Sequence, residues 1–90
     1  MRICVLDGRD IRDKEALHDM LTVALKLPDW YGRNMDALYD CLTDVQEETE
    51  FRILHEREME EHLGNYARVL RAVIRRAAET NPRICWNING

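Results

Sequence analysis

Apolar residues follow two spacings in this chain: short continuous runs, and stripes with helical periodicity. Residues 3–6 are continuously apolar, which predicts a strand, whereas residues 14–25 repeat apolar side chains every three or four positions, which predicts a helix. The predicted inward side chains of this helix are Leu17, Met20, Leu21 and Ala24. Pro28 ends the helix because a proline moves the residue before it out of helical geometry.

The same patterns divide the rest of the chain into three helices and two strands. A helix begins near Asn34, a short charged helix occupies residues 56–63, and a longer helix ends at the Asn81-Pro82 pair. Residues 51–54 and 84–88 predict strands. The apolar face of the longer helix comprises Tyr66, Leu70, Val73, Ile74 and Ala77. Three short strands separated by helices predict an α/β fold, a small parallel sheet packed with about four helices.

The composition is that of an ordinary soluble globular protein, with 46% hydrophobic and 33% charged residues. A chain of 90 residues fits one small domain, 1–90. Its N-terminal apolar run is too short for a signal peptide or a membrane span. Three widely spaced cysteines are typical of buried thiols in a reducing compartment, so we expect a cytoplasmic protein. They are Cys4, Cys41 and Cys85.

The most distinctive segment is residues 27–43, a loop followed by a helix. Trp30 and Tyr31 lie on the loop, and we expect Gly32 to let the backbone turn before the helix. The helix carries an acidic stripe, which we define as Asp36, Asp40 and Asp44. Each pair of like charges at this four-residue spacing destabilises a helix by about 0.2–0.5 kcal/mol, so the stripe suggests an external cationic partner.

A structural explanation competes with this functional one. Capping and the helix dipole account for Asp36 alone, and a solvated acidic surface is an alternative for the other two carboxylates. However, residues 34–51 contain six acids without one Lys or Arg. Trp30, Tyr31 and Tyr39 lie beside these acids, and aromatic residues next to charges are commoner at protein interfaces than on ordinary surfaces.

Residues 30–43, WYGRNMDALYDCLT, resemble the signature of the barstar family, the intracellular protein inhibitors of extracellular microbial ribonucleases. Weaker similarity extends over nearly the whole chain, including the Ile11-Arg12 and Leu17-His18 pairs. The resemblance implies a barstar-like fold whose loop and helix plug the nuclease active site. On this chain it assigns partner binding to Trp30, Asn34, Asp36, Tyr39, Asp40 and Thr43, with Asp44 adjoining. Asp40 matches the central acidic anchor of the family.

Four positions depart from the type member of the family. Val45 stands where it has tryptophan, Arg76 and Thr80 where it has acids, and Asp44 where it has glycine. These departures imply a partner whose surface differs from that of the type member's partner. Arg76 predicts an acid, or less positive charge, opposite it on the partner. Arg76 and Tyr31 are also predicted to be partner-binding residues.

The resemblance implies an antitoxin or immunity protein that inhibits a barnase-type ribonuclease by occlusion. The net charge is −4, with acids concentrated in the centre of the chain and arginines in residues 66–83. The acidic patch would therefore repel RNA and attract a basic protein towards it. The expected partner is a secreted or toxin-type ribonuclease with a basic active site, bound 1:1 by a monomer. We expect no cofactor, metal, membrane or direct nucleic acid. The alternative is a binding module for a basic protein that is not a ribonuclease.

Other candidate sites are weaker. An arginine stripe could bind RNA, although a solvated helix face is favoured because aromatic interleaving is missing. It comprises Arg68, Arg71, Arg75, Arg76 and Arg83. His55 and His62 are seven residues apart rather than four, which does not fit a zinc-protease helix and favours solvated surface.

An enzyme would have to use Asp36 and Asp40, with or without a histidine. The chain has no glycine-rich phosphate cradle or nucleophile elbow, so we assign no catalytic residue. His18 is expected to form a structural hydrogen bond, and Cys41 and Cys85 to be buried by packing.

Overall fold

The computed structural model describes the backbone of residues 1–89 and the side chains of residues 1–87, so Gly90, the end of the predicted domain, lies outside the described residues. Three strands and four helices confirm the predicted α/β architecture. In chain order they are β1 (Arg2–Asp7), α1 (Lys14–Leu25), α2 (Met35–Thr43), β2 (Thr49–Leu54), α3 (Glu56–Leu63), α4 (Asn65–Thr80) and β3 (Ile84–Asn89). β2 begins two residues before the predicted strand.

The three strands form one parallel sheet in the order β1-β2-β3. Cys4 of β1 lies opposite Phe51 of β2, which in turn lies opposite Trp86 of β3. Cys4 and Phe51 face the helices and are fully buried, whereas Ile3 and Val5 of β1 are exposed on the other face. Helices therefore cover one face of the sheet, and the continuous apolar run of β1 is buried only at alternate residues.

The thiols do not share one environment. Cys4 is buried, Cys41 is half-buried and Cys85 is exposed. The expectation that Cys85 would be buried is therefore wrong. Ile84 faces the core, so the next residue along the strand, Cys85, points to the uncovered face.

The helices bury nearly the faces that the apolar stripes predict. The buried residues of α1 are Leu17, His18, Leu21 and Leu25, and those of α4 are Ala67, Leu70, Ile74 and Ala77. The predicted core residues Met20, Ala24, Tyr66 and Val73 are only partly buried. Both stripes are therefore rotated slightly from the prediction, which brings His18 into the core.

The predicted arginine stripe is not a uniformly solvated surface. Arg71 of α4 contacts Glu56 and Glu60 of α3, with 2.9 Å between its Nη2 and Glu60 Oε1, and its side chain is only 21% exposed. Nε of Arg68 lies 3.9 Å from the same Glu60 oxygen. We call these four residues the α3–α4 charge cluster. It joins two helices, so Arg71 has a structural partner that its spacing did not reveal.

The histidines predicted to be solvated differ in their surroundings. Nδ1 of His62 lies 3.1 Å from the carbonyl oxygen of Gly8 and 3.0 Å from that of Ile11, so its ring lies against the segment after β1. His55 precedes α3 with a left-handed backbone. Within residues 1–89, no group of three or more His, Cys, Asp or Glu could hold a metal ion. Over the same residues, no helix combines the length and the apolar character needed to cross a membrane.

Candidate protein-binding site

α2 begins where the sequence predicts, because Asn34 caps it. The Asn34 backbone is extended, its Oδ1 accepts a hydrogen bond of 2.8 Å from the Ala37 amide, and its Nδ2 donates one of 3.2 Å to the Gly32 carbonyl. A Cβ on Gly32 would lie 3.2 Å from Asn34 Nδ2 and 3.3 Å from Ala37 Cβ. Gly32 therefore makes room for the cap. The left-handed residue of the turn is Arg33, with φ of 54°.

The loop between α1 and α2 directs its two aromatic residues in opposite directions. The Tyr31 amide donates a hydrogen bond of 3.0 Å to the Pro28 carbonyl, which closes a turn around Trp30. Trp30 is 81% exposed, whereas Tyr31 is 6% exposed. Trp30 thus offers a large aromatic surface to solvent, while Tyr31 fastens the loop to the core.

The Tyr31 hydroxyl belongs to a three-residue hydrogen-bond network centred on His18. It lies 2.8 Å from His18 Nδ1, and the Tyr66 hydroxyl lies 2.7 Å from His18 Nε2. Burial lowers the pKa of His18, helped by the Arg33 cation, and burial raises the pKa of Tyr31 to about 12. The three groups are therefore uncharged at neutral pH. This confirms the structural hydrogen-bonding role predicted for His18.

A groove with a volume of about 310 Å³ separates the loop from α2. It is lined by Trp30, Tyr31, Gly32, Ala37, Asp40, Cys41 and Asp44. The four α2-side residues recur at intervals of three and four, so they form one stripe along the helix. Burial raises the pKa of the Cys41 thiol, and the carboxylates of Asp40 and Asp44 raise it further. Sequence reasoning missed Ala37 and Cys41 as lining residues, although their positions beside the acidic stripe could have indicated them.

The acidic stripe has no cationic neighbour inside the described part of the chain. Among those residues, no Lys, Arg or His nitrogen lies within 4.0 Å of a carboxylate oxygen of Asp36, Asp40 or Asp44. All three residues are exposed, but Asp36 lies one turn before Asp40 and does not line the groove. Asp44 follows the last helical residue, and its amide bonds to the carbonyls of Cys41 and Leu42. The stripe thus presents negative charge that the protein leaves uncompensated.

A second side of α2 faces α4. The Tyr39 hydroxyl lies 3.2 Å from Thr80 Oγ1, and the guanidinium carbon of Arg76 lies 5.3 Å from the centre of the Tyr39 ring. That distance is within the range of a cation–π contact. Thr43 Oγ1 donates a hydrogen bond of 2.8 Å to the Asp40 carbonyl. The structure therefore brings Arg76 to Tyr39, apart from the groove that Trp30, Asp40 and Asp44 line.

Comparison with known proteins places the chain in one family. The family described as Barstar (barnase inhibitor) matches residues 1–86. A protein of Bacillus subtilis (strain 168), named "Putative ribonuclease inhibitor YrdF", is 44% identical over 80 residues, which are 88% of each chain. The family match covers both the α1–α2 loop and the acidic helix. The chain therefore belongs to the barstar family.

Proposed function

We propose that this protein inhibits a ribonuclease of the barnase type by occupying its active site with α2 and the preceding loop. The observation that carries the proposal is a groove in which uncompensated carboxylates of Asp40 and Asp44 lie beside the exposed Trp30 ring. The family description and the name of the Bacillus subtilis relative support it, since both refer to ribonuclease inhibition.

The groove is chemically complementary to the RNA-binding site of a ribonuclease. A ribonuclease uses cations to hold phosphates, and carboxylates presented by α2 would take the positions of those phosphates. Asp40 would be the central anchor, because it lies in the middle of the stripe and lines the groove. Trp30 would cover the region in which a base stacks. An open acidic surface would also accelerate encounter with a cationic partner.

Asn34, Asp36, Thr43 and Tyr31 would support this contact. Asn34 and Asp36 lie at the start of α2, where their exposed side chains could reach the edge of the partner. Thr43 bonds to the carbonyl of Asp40, so it would steady the turn that presents the anchor. Tyr31 lines the groove while its hydroxyl holds the loop to His18.

Arg76 and Tyr39 would form a second contact at the α4 side. The Arg76 guanidinium rests on Tyr39 and, among the described residues, contacts no carboxylate within 4.0 Å. It is therefore available for an acid on the ribonuclease opposite it. We propose a 1:1 complex in the cytoplasm, with no cofactor and no catalytic residue on this chain.

The test is capture of partners from the total protein of the source organism on immobilised wild type and Asp40→Ala, followed by ribonuclease assay of the eluates. We expect wild type alone to retain a small basic ribonuclease and to abolish its activity at one equivalent. Retention of the same non-nuclease protein by both baits would instead support an adaptor role. Turnover of RNA by the protein alone would support an enzyme.

A further inference from the structure

We propose that Arg33 is a positioning residue, which fixes the Trp30 loop against α1 in the orientation that the partner binds. This assignment rests on the binding role proposed above. Nη2 of Arg33 lies 2.6 Å from Asp19 Oδ1 and donates a second hydrogen bond, of 3.1 Å, to the Glu15 carbonyl. One side chain of the loop is thus tied to two successive turns of α1.

Arg33 has a left-handed backbone, which between α1 and α2 it shares only with Lys26, the residue that caps the end of α1. The Arg33 φ of 54° lies in the left-handed region, which residues other than glycine, asparagine and aspartate seldom adopt. Such a conformation persists only where surrounding contacts hold it. Arg33 immediately precedes the Asn34 cap, so its conformation sets the angle between the loop and α2. The groove between them depends on that angle.

Arg33 completes a set of tethers that surround Trp30. Before the tryptophan, the Leu27 amide bonds to the Thr22 carbonyl at 3.0 Å. After it, Tyr31 reaches His18, and Arg33 reaches Asp19, the next residue of α1. A loop held in its binding conformation loses less conformational entropy when a partner docks.

The Arg33–Asp19 pair is poorly suited to stabilising the whole fold. The two side chains are 39% and 67% exposed, and exposed ion pairs contribute little to folding stability. We therefore expect Arg33→Met to leave the melting temperature nearly unchanged while it loosens the loop. A matched control is Arg52→Met, which removes another exposed arginine, paired with Glu50 on the uncovered face of the sheet.

The charge change in Arg33→Met and the loss of positioning should alter binding in opposite directions, so the direction of the measured change decides between them. Arg33→Met makes the binding face more negative, which by charge alone should strengthen attraction to a cationic ribonuclease. Loss of positioning should weaken binding instead. With barnase and the captured ribonuclease as probes, we expect about 3- to 10-fold weaker inhibition by Arg33→Met, the range of one lost exposed ion pair with its hydrogen bonds. Arg52→Met should inhibit like wild type.

Two further measurements separate positioning from direct contact. Hydrogen exchange of the unbound protein should be faster at the Tyr31 amide, which bonds to the Pro28 carbonyl, in Arg33→Met and in Asp19→Asn than in wild type. In a Trp30→Ala background, Arg33→Met should weaken inhibition much less, because the side chain being positioned is gone. Unchanged exchange in the loop, or equal weakening in both backgrounds, would overturn the proposal.

The exchange measurement uses no ribonuclease, so it judges the loop separately from the proposed function. If wild type inhibits neither probe, the proposed function fails, whereas the tether is still decided by the exchange rates. If wild type inhibits and Arg33→Met inhibits equally well or better, the function stands and the positioning role is refuted.

Discussion

Two charged regions of this protein both present carboxylates on helices, and they differ in whether the protein balances that charge. In the α3–α4 charge cluster, Arg71 holds Glu56 and Glu60 across the helix boundary. Along the acidic stripe of α2, no cation of the described chain lies within 4.0 Å of a carboxylate. The first region is closed on itself, whereas the second is open to an external partner.

The difference follows from what lies next to each helix. α3 and α4 pack side by side, so an acid on one faces an arginine on the other. α2 also packs on α4, but there the adjacent arginine, Arg76, rests on Tyr39 instead of a carboxylate. Substitutions in the closed region should therefore change folding stability, and substitutions in the open region should change binding.

The largest effect is expected at the centre of the open region. Asp40→Ala should weaken ribonuclease inhibition at least about 100-fold, as expected for a central interface anchor that leaves cations of the partner unpaired. The free energy of unfolding should change by less than about 0.5 kcal/mol, because the side chain is exposed. Inhibition titrations and urea unfolding measure the two quantities. The matched control is Asp10→Ala, another exposed aspartate that does not line the groove.

The closed region should show the reverse. Arg71→Met should lower the free energy of unfolding by about 1–3 kcal/mol, because it leaves Glu56 without a cation and Glu60 with only a weaker one at 3.9 Å. Inhibition should stay within about twofold of wild type. The comparison variant is Arg75→Met, whose side chain is exposed on the same helix and should be nearly neutral. If Arg71→Met impaired inhibition without changing stability, the division between the two regions would be wrong.

Substitutions of Arg76 test whether its positive charge, at the α4 side of α2, meets an acid on the partner. If the cognate ribonuclease carries an acid opposite it, Arg76→Glu should weaken inhibition by about two- to tenfold, as like charges then face each other. Arg76→Gln should have a smaller effect of the same sign. Isothermal titration calorimetry with the captured ribonuclease measures both. A gain in affinity for Arg76→Glu would contradict the assignment.

The smallest effect near neutral pH is expected at His18, whose hydrogen bond to Tyr31 fastens the loop to the core. The pKa of His18 is lowered by burial and by Arg33, so the folded protein binds this proton less readily than the unfolded chain, whose histidine has the usual pKa of 6.5. Stability should therefore be unaffected above that pH and fall as the pH drops through and below it. Urea unfolding between pH 8 and 5 should show a shallower decline for His18→Gln. Identical pH dependence of the two proteins would exclude this role for His18.

Local signals in the sequence were enough to predict most of the elements. The bounds of α1 and the Asn34 cap of α2 are confirmed, because they depend on neighbouring polar, apolar and proline residues alone. The exposure of Cys85 was not predictable in this way. It depends on which face of the sheet the helices leave uncovered, a property of the whole fold.

At the binding site, too, the sequence predicted what depends on neighbouring residues and not what depends on contacts between helices. The sequence predicted that Trp30 and Asp40 would lie together, and the groove contains both. It did not predict that Arg33, rather than Gly32, would adopt the left-handed conformation. Arg33 contacts Asp19 on another helix, and no local pattern reveals such a contact.

The most direct test of the account is competition between this protein and RNA for the captured ribonuclease. Initial rates of cleavage would be measured over a range of RNA concentrations and of wild-type protein. Occlusion of the active site by α2 and its loop predicts that the apparent inhibition constant rises linearly with RNA concentration, with maximal velocity unchanged. Inhibition that is independent of RNA concentration would mean that the acidic stripe binds elsewhere on the enzyme, and it would contradict the proposed mechanism.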